Sequence, residues 1–389
     1  MAVATFAPRG PILLAGDDTL CRKRGLTLYG AGMHHDPLIS SRALKLVSWG
    51  HDWVVLCFLL PLPRWALTKV FALTVGCRLY KNRQGLTKGQ KKNKQPSRGS
   101  SPKKNRTKTK RSRQVDPNHR TRPELLVELL VQFASWFPDR QIIVTADSAY
   151  GGKSVLQRLP ANVHLISHVH PKGVLYAPPP PPQPNQKGRR RKKGQRLPTM
   201  PAWAADTTQP WQELKFDQFG FHATVRVKVQ QALYYRSGKD RLLTIVLVQD
   251  VEGKRPDQMF YCTFLEWDAR TILSTYAHRW AIEVTFENAK QLLGFEDAAN
   301  RLPKAVQRTA PIALFIHSLV ILWFEKYGYE WLCFPERPWY PRKSEPSFAD
   351  MLTALRRQSW LEKLRILVGK DNRHNKIMEE LAEMASRVG

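Results

Sequence analysis

The sequence predicts an α/β fold, in which a mixed sheet is flanked by helices, interrupted by a β-rich insertion and followed by a helical C-terminal region. Apolar residues recur at helical spacing over 123–137, and the apolar run QIIVTAD follows at once over 141–147. Three later apolar runs with turn residues between them, at 223–236, 242–248 and 259–265, predict antiparallel strands. A helix followed directly by a strand is typical of an α/β layer, and the later strands predict an antiparallel β subdomain that interrupts it.

The first strands are predicted from apolar runs near the N-terminus. PILLAGDD, at 11–18, is a short apolar run ending in two acids, which predicts a buried strand delivering carboxylates at its carboxyl end. The runs at 53–60 and 69–80 are separated by Pro61 and Pro63, as expected of paired strands joined by a turn.

The remaining elements are assigned in the same way. A short helix is predicted at 153–159 and a strand at 163–169. The later apolar periodicities predict four helices, at about 269–293, 312–325, 347–357 and 375–388. Ser347 and Asp350 fit a capping box at the start of the third of these.

The charge of the chain points to a polyanionic partner. It has 62 Lys and Arg against 32 Asp and Glu, a net charge of +30, while a hydrophobic fraction of 42% is enough to build a core. Two inserts hold most of the excess: 78–122 contains 17 basic residues and one acid, and 187–196 contains seven basic residues and no acid. Both are predicted to be mobile loops, either solvated linkers or contacts to a phosphate backbone.

Other features exclude several protein classes. The five cysteines form no Cys-x-x-Cys pair, so neither a zinc ribbon nor a disulfide framework is indicated. The longest apolar stretches, 54–62 and 312–324, are shorter than the roughly 20 residues that cross a bilayer, so no membrane partner is expected. The N-terminus MAVATFAPRG lacks a secretory signal, and a cytoplasmic location is expected.

These patterns divide the chain into seven segments. In order they are the first half of the core (1–77), a basic low-complexity insert (78–122), the continued core (123–175), a Pro-rich basic linker (176–198), the β-rich insertion (199–268), the core helices (269–330) and the C-terminal helices (331–389).

Four polar residues are spaced to share one face of the predicted helix at 269–293. Tyr276, Arg279, Glu283 and Lys290 fall within an arc of about 60° at 100° per residue. Helical spacing alone is more typical of a solvated charged stripe, so it suggests a functional face without establishing one.

Two strand-end acids support a functional role for that helix face. Asp18 and Asp147 each follow a predicted buried strand, and Glu283 lies on the helix, so the three carboxylates can converge on divalent cations. Two such ions can bracket a scissile phosphate, one activating the attacking water or hydroxyl and the other stabilising the leaving oxygen.

The residues YAHRWAIEVTFENAK, from Tyr276 to Lys290, resemble the YREK signature of bacterial insertion-sequence transposases of the DDE type. The family's first acid lies in a sequence similar to GDDT, which selects Asp18, directly before Thr19. Its second lies in a sequence similar to VTADSAY, which selects Asp147. The resemblance extends over roughly 11–322 and implies a ribonuclease-H-like core.

The resemblance also implies a reaction and its cofactor. Two Mg²⁺ ions, with Mn²⁺ as a substitute, would be held by Asp18, Asp147 and Glu283. The enzyme would nick the ends of an element in double-stranded DNA, often cut the second strand through a hairpin, and join the ends to target DNA. Paired-end cutting leads to the expectation of a homodimer on DNA.

Roles in DNA binding are implied for the rest of the signature. Tyr276 and Arg279 would grip the backbone near a flipped-out terminal base, and Lys290 would contact a phosphate. Three aromatic residues before the signature helix are alternative candidates for the platform that supports such a base: Phe260, Tyr261 and Trp267.

Alternatives exist for two of the acids. Asp17 could replace Asp18, because neighbouring side chains on a strand point to opposite faces and only one can reach the site. Glu287, one helical turn beyond Glu283, is the rival third acid, and the motif spacing favours Glu283.

Two other function classes stay open. Relatives commonly carry a helical end-recognition domain before the first acid, for which this chain leaves no room. A second hypothesis is therefore a truncated or catalytically inactive, transposase-derived protein held on nucleic acid by its basic inserts. A third is a ribonuclease-H-like nuclease that cuts without strand transfer.

Overall fold

A computed structural model describes residues 2–41, 43–61, 65–66, 69–82, 119–181, 190–218, 221–334, 343–368 and 375–387. The strands are β1 Ile12–Arg22, β2 Gly32–His35, β3 Val47–Pro61, β4 Val70–Tyr80, β5 Ile142–Ala146, β6 Val163–His168, β7 Gln212–Gln218, β8 Phe221–Leu233, β9 Leu242–Asp250 and β10 Gln258–Cys262. The helices are α1 Ala2–Phe6, α2 Arg122–Trp136, α3 Lys153–Leu156, α4 Met200–Ala205, α5 Tyr235–Gly238, α6 Ala269–Ala277, α7 Trp280–Leu292, α8 Pro303–Trp323, α9 Phe348–Val368 and α10 Asn375–Ser386.

The centre of the sheet has the strand order β4-β3-β1-β5-β6. β1, β3 and β4 pair antiparallel, whereas β5 runs parallel to β1 and β6 runs parallel to β5. Three antiparallel strands followed by two parallel ones, with helices on both faces, are consistent with the ribonuclease-H-like fold. The predicted α/β class is confirmed.

The β-rich insertion continues this sheet. β10 pairs antiparallel with β6, and β9, β8 and β7 follow it in order. The sequence predicted β8, β9 and β10 as antiparallel strands, though not β7, and predicted that they interrupt the layer. They extend it instead, because the outer edge of β6 offers its backbone groups to β10.

Helices cover both faces of the sheet. On the α2 face, Leu14 of β1 packs with Leu126 of α2 in one buried cluster. On the α7 face, Ala15 packs with Ile282 of α7 and Leu314 of α8 in another. Successive residues of β1 therefore point to opposite layers.

The helix predicted at 269–293 is two helices, α6 and α7, separated by a tight turn. The N–H of Arg279 donates to the carbonyl of Tyr276 at 3.0 Å, and the N–H of Ala281 donates to that of His278 at 3.1 Å. These are three-residue steps in place of the four-residue steps of an α-helix. The predicted single helix is therefore wrong, but Arg279 still lies 5.7 Å from the centre of the Tyr276 ring and donates to Glu283 at 2.9 Å.

α8 and the two turns after it form a continuous helical stretch over 303–331. Within the described residues, it is long and apolar enough by length and composition to cross a membrane. Its inner face is buried against the sheet, where Ser318 Oγ accepts the N–H of Thr74 at 2.8 Å. Core helices pass the same test, so the stretch gives weak evidence for a membrane span.

The C-terminal helices begin as predicted. Asp350 accepts the backbone N–H of Ser347 at 2.7 Å, which confirms the acidic half of the capping box. α9 runs to Val368, 11 residues beyond its predicted end, because QSWLEKLRILV contains no glycine or proline to stop it.

The second basic insert is partly fixed. Tyr176 makes isolated bridges to Arg196 and Leu233, and the Lys193 ammonium lies 3.6 Å from the centre of the Tyr176 ring. Backbone pairing and a cation–π contact therefore connect 193–196 to the rest of the fold, while the mobility of this insert stays a prediction. Most of the first insert, 83–118, lies outside the described residues.

Candidate active site

Asp17 and Asp147 occupy neighbouring positions on the α7 face of the sheet. β1 and β5 are parallel, with Gly16 paired to Ala146, so the next residue of each chain lies one step further along. Neighbouring strands are about 4.8 Å apart. Because Asp17 and Asp147 each follow this pair by one residue, their carboxylates lie on the same face of the sheet. Asp147 follows β5 directly, as predicted, whereas β1 continues past its acids to Arg22.

Arg279 joins Asp17 to Glu283. Its Nη1 donates to Asp17 Oδ2 at 2.6 Å, and its Nη2 donates to Glu283 Oε1 at 2.9 Å. Arg279 lies in the turn between α6 and α7, and Glu283 lies one turn further along α7. The guanidinium therefore lies between a strand carboxylate and a helix carboxylate.

Burial and three charged side chains act on the pKa of Asp17. Burial raises the pKa of Asp17 to about 7; Arg279 opposes this rise, while repulsion from Asp18 and Asp147 adds to it. A carboxylate that is buried beside two others gains from a nearby cation, because a positive charge offsets both desolvation and repulsion.

Asp18 lies on the α2 face. It accepts a hydrogen bond from the Tyr150 hydroxyl, and its Oδ2 is 3.4 Å from Nε of Arg122. The structure therefore brings Asp17, and not Asp18, to Glu283. The reason is the alternation of side chains along a strand, which separates adjacent residues by the thickness of the sheet.

Tyr276 and Lys290 are both engaged within the fold. The Tyr276 ring packs edge-on against Phe260, with centroids 4.9 Å apart, and against His168 at 5.0 Å. Lys290 Nζ donates to the carbonyl of Leu20 at 2.7 Å, which ties α7 to β1.

The rival third acid lies away from this cluster. Glu287 is exposed on α7 and accepts a hydrogen bond from Gln291 at 3.3 Å. Of Glu283 and Glu287, Glu283 is the one that the structure brings to Asp17.

A cavity of about 660 Å³ opens beside Arg279, between the insertion strands and α6 and α7. Phe260, Tyr276 and Trp280 give it aromatic walls, and Trp280 is 51% exposed. Of the three aromatic residues proposed from the sequence, Phe260 lines this cavity. Tyr261 is fully buried and Trp267 packs against Phe264, and neither lines the cavity.

The chemistry of the carboxylates fits a divalent cation. Within the described part of the chain, no three Asp, Glu, His or Cys side chains are grouped closely enough to hold an ion. However, Asp17 and Glu283 already share one positive group, the Arg279 guanidinium, with Asp147 beside them. Carboxylate oxygens are the ligands that Mg²⁺ and Mn²⁺ prefer.

A family comparison identifies the superfamily of the chain. A model of the DDE superfamily endonucleases matches residues 1–238, which is more than half of the chain. The chain belongs to the DDE superfamily endonucleases. The matched part contains Asp17, Asp18 and Asp147 and ends before Glu283. No curated protein matches the chain.

Membership has consequences for substrate and cofactor. DDE superfamily endonucleases act on DNA and use divalent metals, so a transposase-like nuclease function is indicated for this chain.

The sequence interpretation of this DDE endonuclease missed a polar network on the α2 face. Arg122 forms an ion pair with Asp52, which is 1% exposed, and Tyr150 is also buried. Two signals were present: an acid directly before the apolar run of β3, and a tyrosine three residues after Asp147.

The histidines near β2 do not form a ligand group. His34 is buried with Nδ1 3.5 Å from Asp52, and burial lowers the pKa of its imidazole to about 4. His35 is exposed, because it points to the other side of β2. Asp36 accepts from Nε of Arg22 at 2.7 Å.

Proposed function

We propose that this DDE endonuclease is a DNA transposase that cleaves the ends of a mobile element and joins them to target DNA. Its divalent ions would be held by Asp17, Asp147 and Glu283, with Asp17 in place of the Asp18 assigned from the sequence. The observation that carries the proposal is the bridge from Arg279 to both Asp17 and Glu283, next to the strand position of Asp147.

The reaction follows from that arrangement. Two Mg²⁺ ions, or Mn²⁺ in their place, would activate the attacking water or 3′-hydroxyl and stabilise the leaving oxygen. The two strand carboxylates are fixed by the ladder of β1 and β5, and Glu283 is fixed by packing of α7 on the sheet. The protein therefore supplies rigid ligands from two different layers.

Arg279 and Lys290 are proposed to contact the DNA backbone. Arg279 lines the cavity and its side chain is 17% exposed, so its planar guanidinium is within reach of a phosphate. Lys290 lies 3.5 Å from Glu296 and donates to Leu20, which leaves one of its three donors for DNA.

The cavity beside Arg279 is proposed to receive the end of the cut strand. Tyr276 lies at its wall, and burial raises the pKa of that hydroxyl to about 12, so it stays protonated and can donate. Trp280 offers its exposed ring to an unstacked base, and the buried Phe260 contributes to the cavity wall. A dimer on DNA would allow two ends to be cut together.

The proposal is tested by a cleavage assay on the DNA that flanks the gene, with Mg²⁺ or Mn²⁺. The informative pair is Asp17→Asn and Asp18→Asn, since the two changes are identical and one residue apart. Loss of a metal ligand removes several kcal/mol of transition-state stabilisation, so D17N, D147N and E283Q should each lose on the order of 10³-fold in rate. D18N should lose less than about tenfold, because asparagine keeps an acceptor for Tyr150.

Three results would contradict parts of the proposal. Inactive D18N beside active D17N would restore Asp18 as the first acid. Tight, salt-sensitive binding without metal-dependent cutting would favour the non-catalytic alternative. Cutting without joining would leave a nuclease.

A further inference from the structure

We infer that Asp18 and Tyr150 are positioning residues, and that the hydrogen bond between them sets the second acid, Asp147, against the first, Asp17. The inference rests on the proposed function, because it assumes that Asp17 and Asp147 hold the same ions.

Asp147 and Tyr150 belong to one rigid turn. Asp147 accepts the backbone N–H of Ser148 with its side chain and the N–H of Tyr150 with its carbonyl, the latter at 2.9 Å. Residues Ser148–Tyr150 form a single 3₁₀ turn between these bonds. A shift of the Tyr150 ring is therefore transmitted to Asp147 through three residues of hydrogen-bonded backbone.

Tyr150 connects this turn to β1. Its side chain is 1% exposed within the cluster on the α2 face, and its hydroxyl donates to Asp18. Asp18 is adjacent to Asp17, whose side chain points to the α7 face. One contact on the α2 face thus joins the backbone of the first acid to the turn of the second.

The Asp18 carboxylate is held from its other side as well. Arg122, the first residue of α2, lies 3.4 Å from it, and the same guanidinium is paired with buried Asp52. The guanidinium also lies 4.6 Å from the centre of the Tyr80 ring. These contacts fix the acceptor to which Tyr150 donates.

The far side of the turn is held by β6 and β10. Ser167 Oγ donates to the carbonyl of Asp147 at 3.0 Å, and the Tyr261 hydroxyl donates to that of Gly151 at 2.9 Å. A Cβ on Gly151 would lie 2.6 Å from Ser167 Oγ, so the turn is closely packed there. Held on both sides, the turn has little freedom to displace Asp147 unless the link to Asp18 is broken.

The test measures Mn²⁺ binding to the full chain without DNA, by water-proton relaxation, in four proteins: wild type, Tyr150→Phe, Asp18→Ala and the double variant. Loss of a group that orients a metal ligand typically weakens metal binding 10- to 100-fold. We expect each single variant to weaken Mn²⁺ binding about tenfold. The double variant should be no weaker than the singles, because both changes remove the same bond.

Two further variants separate positioning from stability. Asp18→Asn keeps an acceptor for Tyr150 and should bind Mn²⁺ within about threefold of wild type. Thr145→Val is the matched control, since the buried Thr145 hydroxyl donates to the carbonyl of Leu14 at 3.2 Å and joins the same two strands before the turn. It should lower the unfolding temperature without changing Mn²⁺ binding.

The outcomes are distinguishable. Unchanged Mn²⁺ binding in Y150F, or additive losses in the double variant, would overturn the positioning role while leaving the proposed function in place. Abolished binding in D18N would make Asp18 a ligand and would also overturn it. Wild-type protein that neither binds Mn²⁺ nor cuts DNA would overturn both proposals.

Discussion

At the scale of single residues, His317 shows how burial sets a pH response. It lies 1% exposed in α8, with its ring stacked on Phe348 at 4.2 Å. Neither ring nitrogen has a hydrogen-bond partner among the described residues. Burial lowers the pKa of His317 to about 3, so the folded protein keeps it neutral.

His317 is predicted to destabilise the protein in mild acid. Below the ordinary histidine pKa of about 6.5 the unfolded chain takes up a proton that the folded chain refuses, so stability falls by about 1.4 kcal/mol per pH unit. Between pH 7.5 and 5 this amounts to about 2 kcal/mol. His317→Leu should remove that part of the loss, as measured by urea unfolding at both pH values.

The control is the same change at an exposed histidine. His35→Leu should change the unfolding free energy little, because its side chain is exposed. If H317L and wild type lost equal stability on acidification, the neutral buried state of His317 would be wrong.

At the scale of elements, the approach of β1 to β3 depends on one glycine. Gly50 pairs with Arg22, and a Cβ at Gly50 would lie 2.2 Å from the carbonyl oxygen of Cys21. That oxygen belongs to the backbone and cannot move without disturbing the ladder that continues to Asp17. The packing of these two strands therefore helps to place the first acid.

Gly50→Ala is predicted to cost about 3 kcal/mol of unfolding free energy, at the upper end of the usual cost of overpacking. Gly152→Ala is the control, because nothing lies within 4 Å of its added Cβ, and it should cost less than about 1 kcal/mol. Chemical denaturation of both variants measures the difference. Equal stability of the two would show that β1 and β3 can separate at no cost.

At the scale of the whole molecule, most of the positive charge and the acids of the proposed active site belong to different segments of the sequence. The acids lie on the sheet, whereas most of the +30 belongs to the inserts. Both ends of the first insert make contacts within the fold: Arg78 donates to Gln132 at 2.8 Å, and Arg122 pairs with Asp52. A deletion of the whole insert would therefore disturb the fold, and the charges are better removed from 83–118.

Replacing the 13 Lys and Arg of 83–118 by Gln should weaken DNA binding and flatten its salt dependence. Each phosphate contact contributes about 0.9 to the slope of log affinity against log salt, because it releases bound counterions. Fluorescence anisotropy at several salt concentrations measures that slope. Arg190, Arg191 and Lys192, changed in the same way, show whether the second insert contributes; a slope unchanged by the first set would identify 83–118 as a linker.

The fold could largely be predicted from the sequence, since strand and helix periods are local. The turn at His278 between α6 and α7 could not be predicted, because its three-residue hydrogen bonds do not alter the pattern of apolar residues. Asp52 and Tyr150 were present as isolated polar signals, but their meaning depends on Arg122 and Asp18, which are distant in sequence or on another strand.

The sequence by itself determined the fold class, the strand that ends just before Asp147, and the adjacent pair Asp17 and Asp18 at the other strand. Only the tertiary structure decided between Asp17 and Asp18 as the neighbour of Glu283. A strand's period of two says that the pair points to opposite faces, but not which face a helix more than 260 residues later will cover. That depends on packing of α7 against Ala15, a contact between parts of the chain that no local pattern connects.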